Sequence, residues 1–305
     1  MVNSNLTIGI PCYNCLDTIE KTLQSINIQN EKPYEVIFCD DASTQDYKKI
    51  LKHYSFLNIR YIRLEKNSGV GAVRAKIVNE AKTKFLTMID SDDRFYSVDV
   101  IEFFHEQIRL RNFDMLITNF IQELPDNENI IFGTPFIGCH GKIYNLDFLK
   151  QQNINFPPLR AHEEGFINRS IALHGDVLKN EKVTYFWHWN LKGITRKDDV
   201  MYKYFLDYVE SVRLNSLDKR YDLVKPLITI YTYYDKMIQI YGEKDKKLKN
   251  YKQKILEIFN WDYNSIKDFI QKNRKDYKEA ISGAGGNDYI PHKNILKFLK
   301  ENGVE

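Results

Sequence analysis

Two aspartates separated by one residue, Asp90 and Asp92, follow an apolar stretch that ends at Ile89. On a turn, two carboxylates at this spacing can bind one divalent cation, and a diphosphate can complete the coordination shell of that cation. The same Asp-Ser-Asp-Asp run is also typical of an Asx turn that caps the following helix. The segment is therefore a candidate metal site, with a capping turn as the alternative.

A second pair of aspartates, Asp40 and Asp41, follows another apolar stretch and can hydrogen-bond a nucleobase or a ribose. Its alternative role is to cap the next helix together with Ser43. Residues 67–74 are rich in glycine, and a helix that begins there would present Arg74 to an anionic nucleotide. They lack the third glycine of a dinucleotide-binding fingerprint, so an ordinary glycine-rich helix start is the alternative.

Further candidate groups lie at 163–164, at 188 and at 12–15. Glu163 and Glu164 open a predicted helix, where a carboxylate can act as a general base or complement the helix dipole. His188, between two tryptophans, can approach a phosphate or lie at the edge of the core. Cys12 and Cys15 have the spacing of a redox pair in an unusual context, and we expect ordinary thiols.

Most of these groups follow the ends of predicted strands. Apolar stretches at 6–11, 34–39, 59–64 and 84–89 alternate with helical patterns at 17–28, 47–54 and 70–81. This alternation predicts a mainly parallel sheet with helices on both faces. Ligands bind such sheets at the carboxyl ends of the strands, where Asn14, Asp40 with Asp41, and Asp90 with Asp92 would lie. Gathered carboxylates repel one another unless a cation or ligand compensates, so the coincidence predicts a binding site.

The composition excludes several classes of protein. Of the 305 residues, 43% are hydrophobic and 28% are charged, as in soluble globular proteins, so a mainly disordered chain is excluded. No run of about 18 apolar residues predicts a transmembrane helix, and the first residues lack the features of a secretory signal. Four cysteines are too few for a disulfide scaffold. We therefore expect a cytoplasmic protein without a membrane span.

The character of the sequence changes near residue 200. Residues 201–305 hold 20 Lys and Arg against 15 Asp and Glu, and 12 of the 20 tyrosines. Apolar residues at helical spacing predict helices at 200–218, 222–241, 245–259 and 264–280 and one after Pro291. We predict one domain over 1–200 and a second, helical domain over 201–305. Its basic, tyrosine-rich surface is either a solvated helical face or a site for a polyanion.

Taken together, the motifs in residues 5–197 resemble those of the family 2 glycosyltransferases, which have the GT-A fold. Six of them occur in the family's order, at 7–14, 35–43, 67–74, 89–93, 141–157 and 185–195. The resemblance implies an α/β fold with a Rossmann-like, mainly parallel sheet flanked by helices, followed by a smaller helical region. It also implies an inverting enzyme that moves a sugar from a nucleotide-sugar, with a UDP-sugar expected, to an acceptor hydroxyl with the help of Mn²⁺ or Mg²⁺. Residues 1–200 would then be the catalytic domain, and the helical domain over 201–305 would bind the acceptor or form a homo-oligomer.

The resemblance also carries expectations for individual residues. The cation would be bound by Asp92, with Asp90 and His188. The expected donor-binding residues are Pro11, Tyr13, Asn14, Asp40, Asp41, Arg74, Asp90, Ser91 and His188. The general base would be Glu164 or Glu163, since the chain has Glu-Glu where the family has Glu-Asp and two ways of counting choose different residues. A second departure is Ala42, which replaces the glycine of the family's Asp-Asp-Gly-Ser signature.

Three alternatives bear on this interpretation. A nucleotidyltransferase would need a glycine-rich phosphate loop after the first strand, where this chain has Pro-Cys-Tyr-Asn at 11–14. A non-catalytic nucleotide-sugar-binding relative would be expected to lose Asp92 or the acid at 163–164, and both are present. Among acceptors, a glycan, a lipid-linked carrier and a polyanion such as hydroxymethylated DNA or a wall polymer all stay open.

Overall fold

The computed structural model describes residues 5–126, 128–134, 136, 138–191, 193, 200–259, 298, 300, 301 and 303. The chain divides into two compact units, Met1–Arg196 and Lys197–Glu305. The predicted helix at 264–280 lies outside the described residues, as do positions 194 and 195 of the last predicted motif.

The described part of the first unit is built on one nine-stranded sheet. Its strands are β1 (Leu6–Cys12), β2 (Glu35–Asp40), β3 (Ile59–Arg63), β4 (Phe85–Met88), β5 (Arg94–Phe95), β6 (Met115–Glu123), β7 (Asn129–Phe132), β8 (Lys142–Asn145) and β9 (Val177–Trp187). The order is β3-β2-β1-β4-β8-β6-β9-β5, with β7 beside β6. β1 to β4 pair in parallel, as the alternation of strands and helices predicts. Beyond β4 the sheet is mixed, because β8 runs antiparallel to both β4 and β6.

Helices cover both faces of this sheet, which confirms the predicted α/β class. They are α1 (Ile19–Asn27), α2 (Lys48–His53), α3 (Val70–Glu80), α4 (Val100–Leu110), α5 (Leu146–Gln151) and α6 (Glu163–His174). Alternate residues of β2 enter two separate apolar clusters: Phe38 packs with the α1 side and Ile37 with the α3 side. Because side chains alternate across a strand, this division shows that both faces of the strand are buried.

The second unit is helical in its described part. It contains α7 (Val200–Ser216), α8 (Val224–Tyr241) and α9 (Lys246–Phe259), which enclose a hydrophobic cluster of their own around Phe205 and Ile228. The predicted helical C-terminal region is therefore confirmed. Three lysines of α9, Lys246, Lys247 and Lys249, are exposed; binding of a polyanion there stays a prediction. Among the described residues, no helix has the length and apolar character that crossing a membrane requires.

Candidate active site

The turn after β1 is tied to the loop after β2. The Asn14 backbone N–H donates to Ser43 Oγ over 2.8 Å, and Asn14 Oδ1 accepts from the Thr44 N–H over 2.9 Å. Asn14 has a left-handed backbone, with φ 49°, which asparagine tolerates better than most residues. Pro11 is buried in β1, whereas 51% of Tyr13 is exposed. The Tyr13 ring is therefore exposed to solvent at the carboxyl edge of the sheet. The backbone of the turn that carries it is held by hydrogen bonds.

Asp40 and Asp41 organise the loop after β2. Asp41 accepts from the backbone N–H groups of Ser68 and Gly69 over 2.7 and 2.8 Å, which joins this loop to the start of α3. Ala42 is left-handed, with φ 58°, and this is the position where the family signature has glycine. The buried Asp40 accepts from the Ser43 N–H, the Tyr61 hydroxyl and the Arg63 guanidinium. Both aspartates thus lie at the predicted edge and hold its loops together.

Arg74 lies at the centre of the site. Its guanidinium forms ion pairs with Glu163 and, over 2.6 Å, with Asp90 Oδ1. Burial would raise the pKa of Asp90, but the charge of Arg74 outweighs it and holds that pKa well below its usual range. Burial raises the pKa of Glu163 to about 7 against the opposing charge of Arg74. One arginine therefore joins the candidate metal motif to the candidate base segment.

The two candidate bases have different surroundings at the start of α6. Glu163 is 1% exposed and paired with Arg74, whereas Glu164 is partly exposed. The loop that leads to them rests on the start of α3, where the Gly71 N–H donates to Leu159 O over 3.0 Å. A Cβ on Gly71 would lie 2.1 Å from Pro157 O, so only glycine permits this approach. The structure therefore encloses Glu163 and leaves Glu164 partly exposed.

The aspartates of the 90–93 turn are held by the end of β9. Asp92 Oδ2 accepts from Asn190 Nδ2 over 2.7 Å, and Asp93 Oδ2 accepts from the Tyr185 hydroxyl over 2.6 Å. Burial and the Asp90 charge raise the pKa of Asp92; burial and its two acidic neighbours raise the pKa of Asp93 well above its usual range. The turn also packs on the start of α1, through the Thr18 hydroxyl and the Ser91 carbonyl. Hydrogen bonds from the end of β9 and from the start of α1 therefore fix the conformation of this turn.

His188 lies beside this turn, but its ring faces other groups. Its backbone N–H donates to Asp93 Oδ1 over 2.8 Å. Its ring Nδ1 lies 3.1 Å from Glu123 Oε2, and Nε2 accepts from Arg94 Nε over 3.2 Å. In this structure the imidazole predicted to bind diphosphate or metal is thus hydrogen-bonded to Glu123 and Arg94, and it supports the turn through its backbone.

Another histidine, which the sequence analysis did not single out, lies next to the aspartates. Ligand atoms of His140, Asp90 and Asp93 all lie within 4.8 Å of one another, close enough to hold a metal ion. Asp92, the predicted metal ligand, lies in the same turn but is not one of these three residues. The signal available in the sequence was the pair of glycines at 138 and 141 on either side of His140, since paired glycines mark a backbone with unusual dihedral angles.

Lys142 is a buried cation beside this segment. It is fully buried in β8, with Nζ 3.4 Å from the His140 carbonyl. Burial lowers its pKa from 10.5 to about 8, against the opposing charges of Cys139 and Glu164. A lysine whose pKa is lower in the folded state loses its proton first there, so the free energy of unfolding rises with pH between these two values.

We expect a Lys142→Met variant to lose this pH dependence. From pH 8 to pH 9.5, the free energy of unfolding of the wild-type chain should rise by about 1.5 kcal/mol relative to that of the variant. Urea denaturation of both chains at several pH values measures the difference. Parallel curves for the two chains across this range would contradict the lowered pKa.

The two cysteines of the first turn correct an expectation. The sequence analysis expected ordinary thiols, whereas the structure joins Cys12 and Cys15 in a disulfide. The bond encloses Tyr13 and Asn14, so it adds a covalent link to the hydrogen bonds of that turn. Asn14, between the two cysteines, has a left-handed backbone that brings their side chains together. The spacing of the cysteines in the sequence does not reveal this backbone conformation.

Comparison with known proteins agrees with this geometry. A sequence model described as "Glycosyl transferase family 2" matches residues 7–160, half of the chain. The chain belongs to glycosyl transferase family 2. The matched residues include the turn after β1, Arg74 and the 90–93 turn.

Several curated glycosyltransferases are similar to parts of the chain. "Putative teichuronic acid biosynthesis glycosyltransferase TuaG" of Bacillus subtilis is 36% identical over 92 residues, which are 30% of this chain and 36% of that protein. Glycosyltransferase GlyA of Streptococcus pneumoniae is 25% identical over 214 residues, which are 61% of this chain and 30% of that protein. The matches thus span about a third of the length of these two relatives.

A solved structure shows the same fold over most of the chain. S. aureus TarS 1–349 in complex with UDP-GlcNAc superposes with a TM-score of 0.63 at 18% identity, covering 92% of this chain and 90% of that one. At this level of identity the likeness concerns the fold alone. It confirms the GT-A-like arrangement of a mixed sheet flanked by helices and followed by a helical region.

Proposed function

We propose that this glycosyltransferase moves a sugar from a UDP-sugar to an acceptor hydroxyl, with inversion at the anomeric carbon and with a divalent cation on the donor diphosphate. One observation carries the proposal: Arg74 joins the 90–93 aspartate turn to the start of α6, where Glu164 is partly exposed. A metal-binding motif and a carboxylate base thereby belong to one connected site. The UDP-GlcNAc complex of TarS, which has a similar fold, supports the choice of donor.

The donor would bind at the carboxyl edge of the parallel strands. The exposed Tyr13 ring can contact the nucleobase, and Asp90 can accept a hydrogen bond from a hydroxyl of the donor. Asp92, aided by Asp90, would hold Mn²⁺ or Mg²⁺, because carboxylate oxygens suit these hard cations. When bound, the cation offsets the charge that develops on the leaving diphosphate.

The acceptor would be activated by Glu164. Its carboxylate takes the proton from the acceptor hydroxyl as the hydroxyl oxygen attacks the anomeric carbon from the face opposite the diphosphate. The bond to the diphosphate breaks as the new glycosidic bond forms, which inverts the anomeric configuration. Glu163 has a different part in this scheme: as the buried partner of Arg74, it fixes the arginine that in turn pairs with Asp90.

We expect Asp92→Asn to lower metal-dependent turnover of the donor by about 100-fold or more, because a neutral amide offsets the cation poorly. UDP-, GDP-, CMP- and TDP-sugars, with and without Mn²⁺, form the panel, and slow hydrolysis of the donor is the readout. Asp147→Asn, which neutralises an exposed carboxylate on α5, is the matched control and should behave as the wild-type chain. Full turnover by Asp92→Asn in the presence of Mn²⁺ would exclude the metal assignment.

A further inference from the structure

His140 occupies an aromatic enclosure at the edge of the aspartate turn. Its ring stacks on Trp187, with centroids 4.9 Å apart and planes 27° apart, and it also contacts the rings of Tyr185 and Phe120. These contacts restrain the imidazole on several sides. Only 11% of the side chain is exposed. The ring is therefore held in one orientation before any ligand arrives.

The orientation directs Nε2 toward two carboxylates without a direct hydrogen bond to either. Nε2 lies 3.7 Å from Asp90 Oδ2 and 4.0 Å from Asp93 Oδ2, beyond hydrogen-bond length. An oxygen atom to one side of the line from Nε2 to Asp90 Oδ2 can lie about 2.8 Å from both atoms, which is an ordinary hydrogen-bond length. A hydroxyl group suits this pair because it can accept from the imidazole and donate to the carboxylate.

The hydrogen bonding of the ring agrees with that use. Nδ1 is buried and has no hydrogen-bond partner among the described residues. Buried N–H groups without a partner are rarer in proteins than buried acceptors without one, so we assign the ring proton to Nε2. Metal-bound histidines usually donate their second N–H to a protein acceptor, and His140 lacks one, which favours a hydroxyl over a cation.

The backbone around His140 is shaped for this placement. Gly138 has φ 66°, and a Cβ there would lie 2.6 Å from His140 Nδ1. Gly141 has φ 59°, and a Cβ there would lie 2.6 Å from Thr118 Oγ1. Both positions therefore require glycine for conformation as well as for space. Asn168 of α6 holds the same segment by donating to the Gly138 carbonyl over 2.8 Å. The imidazole is positioned by residues from β6, β9 and α6.

We propose that His140 and Asp90 together bind one hydroxyl group of the nucleotide-sugar, with Nε2–H donating to the hydroxyl oxygen and the hydroxyl donating to Asp90 Oδ2. This inference rests on the proposed function and adds a donor-recognition residue to it. The hydroxyl belongs either to the ribose or to the transferred sugar. His140 is then a determinant of donor specificity, since a donor without that hydroxyl leaves the imidazole and the carboxylate without their shared partner.

A cycle that combines a protein variant with a ligand variant tests this contact. The dissociation constants of UDP, 2′-deoxy-UDP, 3′-deoxy-UDP and UDP-GlcNAc are measured by calorimetry with Mn²⁺, for the wild-type chain and for His140→Phe. Phenylalanine keeps the aromatic stacking and removes Nε2. His140→Gln retains an N–H donor and should recover part of the affinity. His105→Phe replaces a buried histidine of α4 that pairs with Glu31. This variant controls for the loss of an imidazole elsewhere in the unit.

We expect His140→Phe to bind the UDP compound that carries the hydroxyl about 10-fold more weakly than the wild-type chain does, which is the value of one hydrogen bond. His105→Phe should bind it as the wild-type chain does. If the hydroxyl is on the ribose, one of the two deoxy-UDP compounds binds the wild-type chain about 10-fold more weakly than UDP does, whereas the dissociation constants of that compound for His140→Phe and for the wild-type chain differ by less than about 2-fold. If it is on the sugar, His140→Phe weakens UDP-GlcNAc and leaves UDP unchanged.

Three results would overturn the inference. Equal losses for every UDP compound, accompanied by a changed Mn²⁺ requirement, would make His140 a metal ligand. If the effects of His140→Phe and of the missing ribose hydroxyl on the binding free energy add fully for both deoxy compounds, and UDP-GlcNAc is not affected selectively, His140 does not contact the hydroxyl. The proposed UDP-sugar donor is not affected by that result. Failure of the wild-type chain to bind any UDP compound would overturn the UDP-sugar proposal and this inference with it.

Discussion

Glu164→Gln is expected to lower kcat by about 1,000-fold while leaving the dissociation constant of the donor within about 2-fold of the wild-type value. Glutamine has nearly the same shape as glutamate, but it cannot take a proton from the acceptor hydroxyl. The side chain is partly exposed at the start of α6, so its exchange creates no buried unpaired group. A transfer assay measures kcat, and calorimetry with the donor measures the dissociation constant.

The neighbouring Glu163→Gln is the matched comparison, since it makes the same chemical change one residue earlier. Glu163 is buried against Arg74, so this variant should bind the donor more weakly through a less restrained Arg74, and its unfolding temperature shows whether the chain is still folded. A stable Glu163→Gln enzyme with the 1,000-fold loss in kcat, beside an active Glu164→Gln, would reverse the assignment of the base.

Arg74→Met is expected to lower the free energy of unfolding by about 3–5 kcal/mol, the usual cost of removing one partner from a buried ion pair. Arg74 is 6% exposed and pairs with two carboxylates that come from separate parts of the chain. Without it, Glu163 is left buried and unpaired, and Asp90 faces Asp92 and Asp93 without its principal counter-charge. Urea denaturation monitored by circular dichroism measures the loss, and binding of the donor should be lost with it.

Two further variants separate the buried charge from the loss of the side chain. Arg74→Met combined with Glu163→Gln should recover part of the lost stability, because one of the two uncompensated carboxylates is then neutral. Arg213→Met removes an arginine from a partly exposed pair with Glu210 on α7 and should cost less than about 1 kcal/mol. An Arg74→Met chain as stable as Arg213→Met would show that the buried ion pair does not support the fold.

Local patterns in the sequence were sufficient to predict the parallel half of the sheet and the residues at its edge. β1, β2 and β4 are short apolar strands, each followed by polar residues, and their pairing in parallel brings Asn14, Asp40 and Asp90 to one edge. Each of these predictions depends on a single strand and its following loop. Hydrophobic burial and turn chemistry act over such short distances, which is why the alternation and the motifs could be recognised without coordinates.

Contacts between distant segments needed the tertiary structure. Arg74 and Glu163 are 89 residues apart, and only the approach of the loop before α6 to Gly71 shows which glutamate is enclosed. His140 lies beside Asp90 on a short segment between Gly138 and Gly141, two glycines with left-handed backbones. The link between Cys12 and Cys15 likewise depends on the backbone angle of one residue between them.

The sequence by itself thus determined the fold class and the set of residues at the carboxyl edge, because these follow from local hydrophobic patterns, and its motifs carried the resemblance to the family. Only the tertiary structure decided which carboxylates pair with Arg74, which glutamate is enclosed, and which histidine lies beside the aspartates. The physical reason is that a charge is paired, buried or free according to what packs against it, and in this chain the packing partners come from strands and loops far apart in the sequence.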